Sequence, residues 1–289
     1  MFWRLSWSSI GKKAQQKIWP RRATGWSGSL PRRIWGSMNK TFCAAAALVW
    51  CAVGAGCSTG GRAVISGPGD NGVEYAYSQD RRTITTHTIG SGGPSILIIG
   101  GIHGSEPEGL WPAQRLIEVL KEERWPAQIA VVEDLNPDGS TLLSRYNARG
   151  VDLNRNWPAS NFEASYKHGQ EPLSEIETQY AFTLIQRLDP VLVIVLHSIH
   201  TGPFVNHDGP GRRYAELFAA AADEADAVYT WSLRTDMGYD TPGSMGSFVG
   251  VDRGTPILTI EFDRGHDEQS ATAALVAGVR AVVGEVVLR

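Results

Sequence analysis

Short apolar runs of strand length, alternating with segments of helical periodicity, predict an α/β domain. Its expected core is a mixed, mostly parallel twisted sheet with helices on both faces. Residues 95–100, 191–196 and 257–262 are almost continuously apolar. That is the pattern of strands covered on both sides rather than on one. Between and after these runs the apolar residues return at intervals of three and four, and no segment repeats.

In chain order, residues 1–37 hold five of the ten tryptophans among Arg, Ser and Gly. They are read as an over-extended or disordered N-terminus, with Met38 as the functional start. Met38, Asn39 and Lys40 lead into an apolar run over 42–56 and then Cys57. A basic start, an apolar stretch and small residues before a cut describe a signal peptide over 38–57. A membrane-spanning helix needs about 20 apolar residues, more than this run offers. The segment also resembles a bacterial lipoprotein signal, in which Cys57 would become a lipidated N-terminus and a membrane anchor; it departs from that pattern at Gly54, where Leu is usual. The expectation is an exported protein, periplasmic or lipid-anchored at the cell envelope. Residues 58–74 are rich in Gly and Ser and read as a flexible tether, followed by one folded domain over 75–289.

Within that domain the pattern predicts a strand over 95–100, a helix over 108–122 and a strand over 129–135. A helix over 174–188 follows, opened by a Ser174/Glu177 capping box. Next come a strand over 191–196 running into His197, a helix over 214–225, a strand over 257–262 and a closing helix over 272–287. In such sheets ligands gather at the carboxyl ends of the strands, and His103, His197 and Glu261 all fall there.

Charge narrows the choice of partner. Residues 1–57 contain no acid and nine of the 27 basic residues, so the remainder has 18 basic against 30 acidic residues, a net charge near −12. An acidic body lacks the clustered Lys and Arg that nucleic acid requires. The three cysteines, Cys43, Cys51 and Cys57, all precede the domain. A metal site in the domain must therefore use His and carboxylates, which suits catalytic zinc.

The strongest local signal is Gly100-Gly101-Ile102-His103-Gly104-Ser105-Glu106. A buried strand ends, two glycines allow a tight turn, and an imidazole and a carboxylate three residues apart can converge on one ion. Further motifs follow: Asn136-Pro137-Asp138-Gly139, the run from Arg145 to Pro158 with Asn154-Arg155 inside it, Leu196-His197-Ser198, and Thr255 to Glu261. In this order they resemble the M14 zinc metallocarboxypeptidases, across residues 100–262. The resemblance implies a zinc carboxypeptidase-like fold and one Zn2+ held by His103, Glu106 and His197. It implies Glu261 as general base, Arg145 as the oxyanion-stabilising cation with Arg149 as its rival, and Asn154 and Arg155 as readers of a terminal carboxylate. Tyr239 is the phenol that would close over substrate, with a plain loop tyrosine as the other reading. His200 and His207 are expected to line the pocket or the surface, and His87, His168 and His266 to be unconnected with the chemistry.

Chemically, two neutral imidazoles and one carboxylate leave a coordination position open, as hydrolytic zinc sites do. The run 147–155 together with Thr241-Pro242-Gly243-Ser244 is most similar to the bacterial murein peptide amidases. That similarity implies cleavage between γ-D-glutamate and meso-diaminopimelate in cell-wall peptides. Two other functions remain open at this level: a zinc deacylase of the succinylglutamate desuccinylase or aspartoacylase type, and a non-catalytic module that binds wall peptides.

Overall fold

The computed structural model describes residues 71–288, so the signal segment, Cys57 and most of the tether lie outside the described residues. Its strands are β1 (Val73–Tyr77), β2 (Thr83–Ile89), β3 (Ser95–Ile99), β4 (Gln128–Val132), β5 (Leu192–Ile199), β6 (Phe204–Asp208), β7 (Ser232–Arg234) and β8 (Ile257–Asp263). They form one sheet in the order β1-β2-β4-β3-β5-β8-β6-β7. The centre, β4-β3-β5-β8, is parallel throughout, while β1, β2 and the β6–β8 pairing are antiparallel. The predicted mixed, mostly parallel sheet is therefore present, with an antiparallel pairing on the outer edge of each of β4 and β8 and a third between β1 and β2.

The helices are α1 (Trp111–Lys121), α2 (Pro137–Leu142), α3 (Ile176–Leu188), α4 (Arg212–Ala225) and α5 (Glu268–Val287). Alternation along the central strands sorts the core into two layers. Ile96 and Ile98 of β3, with Leu192, Ile194 and Leu196 of β5, pack under α1, α4 and α5. Leu97, Ile99, Val193 and Val195 face the other way, against Tyr180, Ala181, Leu184 and Ile185 of α3. Helix α5 is long and apolar enough to cross a membrane, yet Ala271, Ala274, Leu275 and Val279 are core residues of this domain.

Several expectations need correction. The helix expected over 108–122 begins as a 3-10 turn at Pro107–Gly109 and becomes α-helical only from Trp111. The Ser174/Glu177 capping box does not form: α3 starts after Glu175 with no side-chain cap. Ser174 Oγ instead donates to Glu175 and accepts from Asn156, and Glu177 accepts from the Gln79 amide and from Asn147. The motif Asn136–Gly139 does not directly continue the strand expected over 129–135, because β4 ends at Val132. It opens α2, where the Asn136 side chain caps the helix by accepting from the Gly139 amide. Strand β1 starts at Val73, inside the segment read as tether. The sequence pattern also missed β1, β2, β6 and β7. In β1 the alternation is inverted, with Glu74 buried against Tyr180 and Arg187 while Tyr75 and Tyr77 face outward.

Candidate active site

The site is built where β3, β5 and β8 run side by side. Beyond β3 the chain turns sharply through Gly101, whose φ of +63° favours glycine, and its backbone presses on Asp134. Gly104 follows, so close to the Gly139 and Ser140 backbone that a Cβ would overlap it. These two glycines let the loop fold inward and bury both His103 and Glu106.

His197 does not sit beyond the end of β5, as the sequence suggested, but within it; Glu261 lies inside β8, as the strand expected over 257–262 has it. The two are register partners on adjacent parallel strands. Each shares the parity of the α3-facing residues, His197 with Val193 and Val195, and Glu261 with Ile257, so both side chains leave the sheet on the α3 side.

His103, Glu106 and His197 converge. Their donor atoms lie within 4.8 Å of one another, and all three residues are buried. The Nδ1 atoms of the two histidines are 3.1 Å apart, and each lies 2.9 Å from a different Glu106 oxygen. Two nitrogens bound tetrahedrally to zinc at ordinary distances would stand about 3.3 Å apart. The donor set and its spacing thus fit a single zinc ion, with both imidazoles presenting the same ring atom.

The rear of the cluster is fixed by Asp152 and Ser198, which the sequence reading left without a role, and by Asn154, which it read as a carboxylate binder. Asp152 Oδ1 lies 2.9 Å from His103 Nε2, which sets the ring's tautomer and orientation. The Ser198 amide donates to Glu106 Oε2. Asn154 Nδ2 stands 3.1 Å from His197 Nε2, while its Oδ1 accepts from the Met245 amide. The Asn154 amide group is thus engaged at both ends by the protein, as well as lining the cleft.

A cleft of about 200 Å³ opens over the cluster, with Glu261, Arg145, Arg155 and Tyr239 among its walls. Arg145 donates to Asp152 through Nε and to Glu106 through Nη1, at 2.8 and 3.1 Å. Its rival Arg149 points instead toward Glu175, 3.6 Å away, and is not part of the cleft wall. Arg155 Nη1 donates to the Asn154 carbonyl. Tyr239 is half exposed at the rim. Of the other histidines, His200 lines the cleft; His207 does not.

Electrostatics separates the two acids nearest the chemistry. Burial, reinforced by the negative Glu106, pushes the Glu261 carboxyl up to about 8. A bound cation acts in the opposite direction. Burial also works against ionisation of Asp152, but His103 and Arg145 outweigh it and hold that carboxyl well below its ordinary value. Burial lowers His197, favouring the neutral imidazole that a metal requires.

A family model described as zinc carboxypeptidase matches residues 73–257, which include every one of these residues except Glu261. The chain belongs to the M14 zinc carboxypeptidase family. It is accordingly a metallopeptidase of a zinc-dependent family. Murein peptide amidase A of Escherichia coli K12 is 32% identical over 197 residues, covering 63% of this chain and 76% of that protein. The Vibrio campbellii enzyme of the same name is 28% identical, covering 57% of this chain and 68% of its own length. Among solved structures, murein-tripeptide amidase from Escherichia coli O157 superposes with a TM-score of 0.59 at 26% identity, covering 74% of this chain and 91% of that one. Carboxypeptidase A of Helicoverpa armigera, at 17% identity and a TM-score of 0.63, shares the fold; it covers 78% of this chain and 68% of its own.

Proposed function

We propose that this zinc carboxypeptidase family member hydrolyses the amide between γ-D-glutamate and meso-diaminopimelate in cell-wall peptides. The observation that carries the reading is the buried His103–Glu106–His197 cluster, with Glu261 beside it and arginines in the cleft above. The substrate class rests on the similarity to the murein peptide amidases of Escherichia coli and Vibrio campbellii.

His103, Glu106 and His197 would hold the zinc, which when bound supplies Lewis acidity to a carbonyl and acidifies water. Glu261, dry on its core side and open to the cleft, takes a proton from the attacking water and returns it to the leaving amine. Arg145, braced by Asp152, offers its guanidinium to the negative charge that develops on the carbonyl oxygen. Arg155 reads the free carboxylate of the diaminopimelate residue, for which a planar fork is well shaped. Asn154 keeps His197 in place and contributes to the same wall. Tyr239, at the rim, closes over the bound peptide. Export, read from residues 38–57, would bring the enzyme to its polymer.

The direct test measures zinc content together with release of diaminopimelate from a defined muropeptide. Wild type should carry about one zinc per chain and release diaminopimelate, and His103→Ala and His197→Ala should lose metal and activity together. Full metal occupancy in both variants would sink the ligand assignment. Zinc binding with cleavage of N-acyl amino acids but not of muropeptide would favour the deacylase reading. Peptide binding without turnover would favour the wall-binding module.

A further inference from the structure

Beside the proposed metal ligand Glu106 and the proposed base Glu261, one further acid, Asp208, lines the cleft. It closes β6, and no step described above uses it. Its carboxylate lies against Gly246 and its Cβ against Gly250, so close that a Cβ on either glycine would overlap it. Two residues without side chains thus make room for Asp208 in the cleft wall. Among the described residues nothing donates a hydrogen bond to its carboxylate, and no Lys or Arg pairs with it. Burial pushes the group above its ordinary value, and only His207, on the opposite face of β6, pulls the other way. The cleft therefore holds a partly buried carboxylate without a partner, a condition that a cationic ligand group relieves.

The strand register gives the distance of this charge from the chemistry. Strand β6 pairs antiparallel with β8 through Phe204–Glu261, Asn206–Thr259 and Asp208–Ile257. The intervening pair Val205–Ile260 belongs to the core layer under α1, α4 and α5, so these three pairs share the opposite, cleft-bearing face. Thr259 and Asn206 line the cleft between Glu261 and Asp208. Four residues of strand at about 3.3 Å each, and one step between strands of about 4.8 Å, put the Glu261 and Asp208 Cα atoms about 14 Å apart.

That length has a chemical counterpart in the leaving residue. In diaminopimelate six bonds join the amide nitrogen to the amino group at the far end, about 7.5 Å when extended, for bonds of about 1.5 Å at about 111°. A proton-transfer contact of about 2.9 Å from the amide nitrogen to Glu261, and an ion-pair contact of about 2.8 Å at the far end, bring the span between the two carboxylates to about 13 Å. We propose that Asp208 is the floor of a subsite for the far ammonium group of the leaving residue, and so selects diaminopimelate over residues that lack this charge. Arg155 and Asp208 then read the two ends of one residue, its α-carboxylate and its distal ammonium. This rests on the function proposed above and deepens it.

The test compares the tripeptide L-Ala-γ-D-Glu-diaminopimelate with the same peptide ending in 2-aminopimelate, which lacks only the far amino group. Both are assayed on the zinc-loaded full chain, on Asp208→Ala and on Asp208→Asn, with zinc content measured for each. On wild type the aminopimelyl peptide should lose about 10- to 100-fold in kcat/KM, the range of a hydrogen bond to a charged group. The loss should fall mainly on KM, because the ammonium is charged before and during reaction. Asp208→Ala should cleave the two peptides about equally well. Asp208→Asn, which keeps the shape and loses the charge, should keep at most a small part of the preference. A wild-type ratio near one, or an undiminished ratio in Asp208→Ala with zinc retained, overturns the assignment. Should Asp208→Ala fail to fold, the Asp208→Asn ratio decides in the same way. Cleavage of neither peptide by wild type overturns the muropeptide reading itself, and this inference with it.

Discussion

His197 and Glu261 are register partners across the parallel pair β5–β8, so the proposed metal ligand and the proposed base are held by two buried central strands of the sheet. A slip of one residue in that pairing would turn Glu261 into the α1–α5 layer, where Ile260 and Phe262 now lie. The apolar packing of those neighbours therefore fixes the separation of the two functional groups, and no loop movement is needed to bring them together.

Glu261→Gln preserves shape and packing while removing the proton acceptor. Zinc content and substrate affinity should stay close to wild type, and kcat should fall by at least about 10²- to 10⁴-fold. Arg155→Ala should behave differently, raising KM with a smaller loss of kcat, since its partner carries charge throughout the reaction. Amidation of the diaminopimelate carboxylate should reproduce that loss on wild type and have almost no effect on Arg155→Ala. Equal penalties on both enzymes would show that Arg155 does not read this carboxylate.

Asp152 holds His103 from behind and Arg145 from the side. Asp152→Asn should therefore weaken zinc binding about 10- to 100-fold, measured by competition with a chelator. Retention of wild-type affinity would mean that the His103 ring is oriented by its packing alone.

Asp134 lies beyond β4, where its Oδ1 accepts from the Asn136 amide. Burial pushes its carboxyl up to about 6, from an ordinary value of 3.8. The folded state thus binds this proton more tightly than the unfolded one, so stability falls as pH rises through that window and the cost is complete above it. Asp134→Asn should be the more stable protein at pH 7, by about 1–2 kcal/mol after allowance for partial exposure. The difference should vanish below about pH 4. Chemical denaturation at the two pH values measures it, and a pH-independent difference would refute the account.

The anchoring expectation rests on Cys57 and the apolar run before it. If Cys57 is lipidated, Cys57→Ala should move the protein from the membrane fraction to the soluble periplasm. A wild type that is already soluble would favour ordinary signal cleavage instead.

By itself the sequence determined the central strands, because residues buried on both faces must be apolar without interruption, as in Ile96–Ile99. It also brought His103 and Glu106 into view, since a spacing of three after a glycine turn is a local property, and the order of the later motifs supplied His197 and Glu261. The outer strands were hidden because their signal is weaker or inverted: β1 buries Glu74 and exposes two tyrosines, an arrangement that makes sense only beside Arg187 and Tyr180 of α3. Only the tertiary structure decided the partnerships of the site. Asp152 reaches His103 across 49 residues, Asn154 reaches His197 across 43, and Arg264 reaches the Ser105 carbonyl across 159. Periodicity reports which face of an element is buried, but not which distant side chain meets it; those contacts exist only once the sheet has set the order β3-β5-β8.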